Sequence, residues 1–172
     1  FRWFGKFAIG ISLAFLFVMV GSILLKGKSA FVSSDIAITI DLGPDNVDIN
    51  NINETRFDAL VKKSLRQTFP NVKSRKEKKK LYGLLSSDMG FELRDQILND
   101  TSILGSEATL WFTASDDIDL LLKGGVDLTL GEDNRRISDL EVEWISLLKD
   151  TDNVRTKFNK KFFTNGDSRE PE

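Results

Sequence analysis

From Phe7 to Leu25 the chain runs nineteen residues without a charge, FAIGISLAFLFVMVGSILL. As a helix this segment rises about 28 Å, close to the ~30 Å hydrocarbon core of a bilayer. Twelve of the nineteen residues are Leu, Ile, Val or Phe. On an insertion scale they supply about −4 to −7 kcal/mol before the Gly and Ser corrections. Arg2 and Lys6 precede the segment, and Lys26 and Lys28 follow it. Such stems snorkel to the headgroups, and Trp3 suits an interfacial position. A buried helix of a globular protein is seldom apolar on every face for about five turns. A cleaved signal peptide has a shorter apolar region with small residues before the cut. Here Lys28-Ser29-Ala30 places a Lys two positions before the Ala. A transmembrane anchor, residues 1–30 with its flanks, is therefore expected. Its orientation is open, because two basic residues at each end leave the positive-inside rule tied.

The remainder suits one compact domain: the chain has 172 residues, 41% of them apolar. The net charge of −2 argues against a nucleic-acid partner, which normally requires a strong basic excess. Neither Cys nor His is present. That excludes disulfides, a thiolate nucleophile, zinc sites with Cys or His ligands, and a His general base. It identifies no compartment, since a domain of this size does without disulfides on either side of a membrane. The abrupt ends at Phe1 and Glu172 lead us to expect a piece of a longer protein.

Beyond the anchor, helical and strand patterns intermingle. Ile36, Ile38, Ile40 and Leu42 alternate within Ser33–Leu42, the period of a half-buried strand. Gly43-Pro44-Asp45-Asn46 breaks it. Asn53 is placed to cap a helix starting at Glu54, with Phe57, Leu60, Val61, Leu65 and Phe69 as its apolar stripe and Pro70 as its end. Lys73–Lys80, KSRKEKKK, has six basic residues and one Glu. It can contact anionic headgroups or a partner. The plainer reading is a solvated linker and helix start, favoured because no aromatic residue interleaves and the domain is acidic elsewhere. Leu81, Leu84 and Leu85 then read as a short helix, and Phe91, Leu93, Ile97 and Leu98 as another closing near Asn99-Asp100.

Glu107–Ser115 alternates again and reads as a second strand. Ser115 is expected to cap the next helix, whose first turn holds Asp116, Asp117 and Asp119, and Gly124-Gly125 stops it. Val126–Leu130, VDLTL, reads as a third strand. Ser138 and Glu141 form a capping box for a helix carrying Leu140, Trp144, Ile145 and Leu148. Val154, Phe158, Phe162 and Phe163 remain for packing, and Asn165-Gly166 signals a turn. The expected class is α+β: one N-terminal transmembrane helix followed by a small mixed helix/strand soluble domain over residues 31–165, then a polar linker at 166–172. The strands are too few and too alternating for a doubly wound parallel sheet.

No motif for chemistry stands out. Acids at Asp116, Asp117 and Asp119 suit a helix start, and a cation site needs a loop and further oxygen ligands. Asp48-Ile49-Asn50 lacks the Gly and distal Glu of a calcium loop. Asn53 and Asn99 head glycosylation-type triplets, short enough to arise by chance. Ser86, Ser87 and Ser115 have no His and no motif that places a Lys beside them, and Gly124-Gly125 lacks the continuation of a phosphate loop. No catalytic, cofactor-binding or metal residue is assigned, no cofactor is expected, and an enzyme has little support.

One resemblance spans essentially the whole chain. It is carried by Leu84-Leu85-Ser86-Ser87, by Phe91-Glu92-Leu93-Arg94-Asp95, by Ala114–Asp119 with Lys123-Gly124, and by Arg135-Arg136-Ile137-Ser138-Asp139. The run from Phe162 to Glu172, FFTNGDSREPE, is the most specific part. In this order the strings resemble the N-terminal region of the PstA-type permease subunit of bacterial phosphate ABC transporters. In one branch of that family a domain of unknown function follows the first transmembrane helix. The resemblance implies phosphate import across the inner membrane, with the inserted domain on the periplasmic side and the N-terminus inside. Implied partners are a second permease subunit, cytoplasmic ATPase subunits and a periplasmic phosphate-binding protein, besides membrane lipid. The later transmembrane helices and the coupling loop of a permease lie outside this sequence, so no substrate residue carries over. Two other classes compete: a single-pass sensor or interaction module with an extracytoplasmic ligand-binding domain, and a membrane-tethered hydrolase using Ser.

Overall fold

The first element of the computed structural model is a helix, α1 (Arg2–Gly27), covering the uncharged run. The structure describes residues 2–27, 31–47 and 55–158. Within α1, Trp3–Ile23 is long and apolar enough to cross a membrane. None of its described side chains is buried. Phe15, Phe17 and Val18 are each at least 70% exposed. A stretch this apolar with no protein over it has the composition of a helix solvated by lipid.

Residues 34–157 form a separate compact unit. Its sheet has three strands: β1 (Val32–Asp41), β2 (Glu107–Thr113) and β3 (Val154–Phe158), in the order β2-β1-β3. The helices of this unit are α2 (Phe57–Thr68), α3 (Arg75–Tyr82), α4 (Met89–Asn99), α5 (Asp116–Leu122) and α6 (Asp139–Asp150). The α+β class is thus borne out.

β1 and β2 run antiparallel, with Ile36 opposite Phe112 and Ile38 opposite Leu110. Alternation puts these four on one face, where Ile36, Ile38 and Phe112 are at most 1% exposed. Leu60, Val61 and Leu65 of α2 and Leu93 and Ile97 of α4 join them in the core. The stripe read for α2 is buried as expected. On α4 only Leu93 and Ile97 of the expected four are buried, while Phe91 and Leu98 face solvent. Gly90 lets α4 approach the start of α2, for a Cβ there would lie 3.1 Å from the Asp58 backbone nitrogen.

The C-terminal end of the free edge of β2 is covered rather than left as a template for strand addition. Glu92 on α4 accepts from the Thr113 N–H (2.8 Å) and hydroxyl (2.5 Å), and Gln96 donates to the Trp111 carbonyl (3.0 Å). The N–H of Ser86 adds a bond to the Thr113 carbonyl (2.9 Å).

Several expectations need correction. Asn53 and Glu54 lie outside the described residues; α2 as described begins at Phe57, with Arg56 at its N-cap and no side-chain cap bond. Leu84 and Leu85 do not continue a helix. Gly83 caps α3, and Leu85 bridges to Ala114 at the edge of β2. Val126–Leu130 is not a strand but a bend and turn. The Asp127 carboxylate takes the N–H of Thr129 (2.9 Å) and its hydroxyl (2.6 Å), a local bond that competes with a ladder. The third strand is instead Val154–Phe158, entered through a turn with Asp152 at φ 56°. Phe162, Phe163, Asn165-Gly166 and the linker at 166–172 lie outside the described residues.

Candidate functional site

The residues that drew attention in the sequence are not brought together. On α5, Asp119 accepts the Ser34 N–H (2.8 Å) and pairs with Lys123 (2.5 Å), while Asp117 pairs with Arg136 (3.5 Å). Among the described residues no group of three or more acids is arranged to hold a metal ion. Ser115 stands at the N-cap of α5, but its hydroxyl donates to the Gly83 carbonyl (2.6 Å) instead of capping the helix. The Ser86 hydroxyl accepts from the Asp88 N–H (3.3 Å), and the Ser87 hydroxyl faces the Asp88 carboxylate (3.4 Å). Asp48 and Asn50 lie outside the described residues, and Asn99 closes α4. At α6 the expected capping box of Ser138 and Glu141 is present, with the Glu141 carboxylate accepting the Ser138 N–H (2.8 Å).

Hydroxyl and backbone N–H bonds hold two exposed carboxylates below the ordinary Asp range. For Asp100 the donor is Ser102, first through its hydroxyl, and for Asp127 it is Thr129 in the same way. A lowered folded pKa gives stability that is present above the unfolded value of about 3.9 and lost as pH falls through the folded value. Asp127→Asn keeps an acceptor without the titration. It is expected to lessen slightly the fall in Tm as pH drops below about 4, read by circular dichroism across a pH series.

A cluster of charge around a buried acid lies on the sheet face opposite the apolar core, and sequence reasoning did not anticipate it. Asp35 on β1 is fully buried. Its Oδ2 is met by Arg155 Nη2 (3.1 Å), Arg155 Nε (3.2 Å) and Lys157 Nζ (2.8 Å), both from β3. Its Oδ1 has no partner. The period of two sets Arg155 and Lys157 on one side of β3. The Arg155 guanidinium also stacks on Trp111, 4.1 Å from the ring centroid. Ala37, directly opposite Trp111 on β1, has no side chain beyond Cβ to block that reach. One basic strand, one acid and one indole thus lock the three strands together. The only available signal was the alternation of Arg155, Lys157 and the apolar positions in a five-residue strand.

Two further surface features stand out. A cleft of about 570 Å³ lies between the end of α2 and α6, with Phe69 and Trp144 at its apolar floor and Glu77 and Glu143 among its polar lining. The Phe69 and Trp144 rings are 5.7 Å apart. The second feature is basic. Arg75, Lys78, Lys79 and Tyr82 stand at i, i+3, i+4 and i+7 on α3, one helical face. With Lys76 they line a trough of about 680 Å³.

Helix, sheet and surface together define an α+β domain carried behind an apolar helix able to span a membrane. The chain belongs to the family described as a domain of unknown function, DUF3333, whose model matches residues 1–132. That match takes in α1, β1, β2 and α2 to α5, and ends before α6 and β3. No curated protein and no solved structure matches the chain significantly.

Proposed function

We propose that this chain is the N-terminal part of an inner-membrane permease subunit for ATP-driven phosphate import, with residues 31–165 as a non-catalytic periplasmic domain of accessory or docking role. In this reading α1 is the first transmembrane helix, and its N-terminus is cytoplasmic. The permease core, a second permease subunit and the ATPase subunits complete the machine. The domain stands where a periplasmic phosphate-binding protein is received. The observation that carries the reading is the coupling of a membrane-length helix to an α+β domain within one family match over residues 1–132. The phosphate assignment rests on the resemblance of the ordered strings described above.

The test is deletion of residues 35–160 from the full-length permease, with phosphate uptake measured in cells. Altered uptake kinetics are expected with the transporter still assembled, and unchanged kinetics would remove the docking role. A second reading, a single-pass sensor, is favoured by the apolar cleft between α2 and α6. The reading frame beyond Glu172 separates the two. Several further apolar helices are expected for a permease, and a cytosolic domain or a stop for a sensor.

A further inference from the structure

We infer that the basic face formed by α3 and the second half of α2 is a docking surface for anionic phospholipid headgroups of the bilayer that takes up α1. Four observations carry this. Arg75, Lys78, Lys79 and Tyr82 form a single stripe, and Arg75, Lys76 and Lys79 are exposed. Arg66 of α2 extends the stripe by donating to the Tyr82 hydroxyl (2.7 Å) with its guanidinium 6.0 Å from the ring, and Lys62 lies 5.8 Å from the same ring. The aromatic residue absent from the KSRKEKKK run is therefore supplied by the last position of the same helix, and Arg66 is brought to it by folding.

Nearby acids do not neutralise this face. Asp58 is paired with Lys62, and Glu132 with Lys80. Glu77 bonds the N–H of Ser74 as a helix cap and lines the other cleft. Among the described residues, Arg66, Arg75, Lys76, Lys78 and Lys79 make no ion pair, although the chain as a whole is acidic. Long cationic stems around a tyrosine give a trough with apolar walls and charged rims, the chemistry of a headgroup region.

The choice of lipid over an acidic protein follows from position in the chain. β1 begins five residues after α1 ends, so a bilayer holding α1 presents headgroups to this domain at high effective concentration. Each Lys or Arg at an anionic surface is worth about fivefold in binding, and the attraction decays within a Debye length of about 8 Å at physiological salt. This inference needs α1 in a membrane but not the phosphate reading.

The chain contains no Cys, so Lys73→Cys places a single environment-sensitive dye just ahead of α3. The full chain is reconstituted in vesicles of phosphatidylcholine alone or of phosphatidylcholine with one-third phosphatidylglycerol. A blue shift of the dye is expected only with phosphatidylglycerol. It should vanish in high salt and in the Arg75→Glu/Lys78→Glu/Lys79→Glu variant. Equal emission in both vesicle types would overturn the inference, as would a shift that survives both salt and charge reversal. Polyglutamate added to the phosphatidylcholine vesicles is the competing arm: a shift as large as that from phosphatidylglycerol assigns the face to an acidic polypeptide. The high-salt arm uses the unreversed chain and so stands even if the triple variant misfolds. Co-flotation with phosphatidylcholine alone reports the anchor separately.

Discussion

A chain carrying Leu13→Asp together with Phe17→Asp is expected to wash out of membranes in alkaline carbonate, whereas the unaltered chain and each single variant stay with the lipid. The arithmetic sets the threshold. The twelve large apolar residues of the segment contribute about −4 to −7 kcal/mol to insertion, and one Asp near the helix centre costs about 2.5 to 3.5 kcal/mol. A single Asp leaves the sum favourable or near balance; two, which also remove two of the apolar residues, bring it to between about −1 and +4 kcal/mol, the unfavourable side over most of that range. The substitutions sit one helical turn apart near the middle of Phe7–Leu25, where snorkelling relieves a charge least. The domain itself should be untouched, because the compact unit is residues 34–157, so a circular dichroism melt of the released chain checks that solubility was gained without unfolding. If the unaltered chain also leaves carbonate-washed membranes and remains monodisperse without detergent, α1 is not a membrane helix. The exposed Phe15, Phe17 and Val18 would then need a protein partner.

What was legible in the sequence follows from how local each signal is. α1 and β1 announce themselves, the first by nineteen residues without charge and the second by Ile36, Ile38 and Ile40 at period two. The apolar stripes of α2 and α6 are equally readable, because burial in the core enforces them. Errors arose where a local bond or a tertiary demand decided the outcome. VDLTL alternates like a strand, yet Asp127 bonds forward to Thr129 and bends the chain. Leu84 and Leu85 have helical spacing, yet Gly83 ends α3 and the edge of β2 takes the next residues. β3 was missed because a short edge strand with charged side chains shows little apolar alternation; only Val154 packs against the core. The Asp35 cluster was invisible for a related reason. Its partners are 120 residues apart in sequence, and nothing local marks an aspartate at the start of a strand as buried. The basic stripe was half legible: the run was plain and Tyr82 follows it at helical spacing, but Arg66 joins it only through folding.

The Asp35 cluster yields the second large effect, an ordering of variants. Removing both cations, in Arg155→Ala/Lys157→Ala, is expected to destabilise the domain by about 3 kcal/mol or more, because a fully buried carboxylate loses its compensation. Removing the acid alone, in Asp35→Ala, is expected to cost less, about 1 kcal/mol. The asymmetry comes from exposure: Arg155 and Lys157 are 46% and 43% exposed and water receives their charges, whereas Asp35 is at 0%. Part of the cation loss belongs to the Arg155–Trp111 stack, worth about 0.5 to 2 kcal/mol. Lys157→Ala alone, which spares the stack, separates that share. In the triple variant no carboxylate is left in need of a counter-charge, so adding Asp35→Ala should return part of the stability lost to the double substitution. Against a total of about 5 to 15 kcal/mol for a domain of this kind, such a loss is readily seen in urea titrations followed by circular dichroism. Were Asp35→Ala to cost as much as the double cation variant, or the triple variant to recover nothing, the carboxylate would be solvated in solution. The three strands would then be held by their ladders and the Ile36–Phe112 face alone.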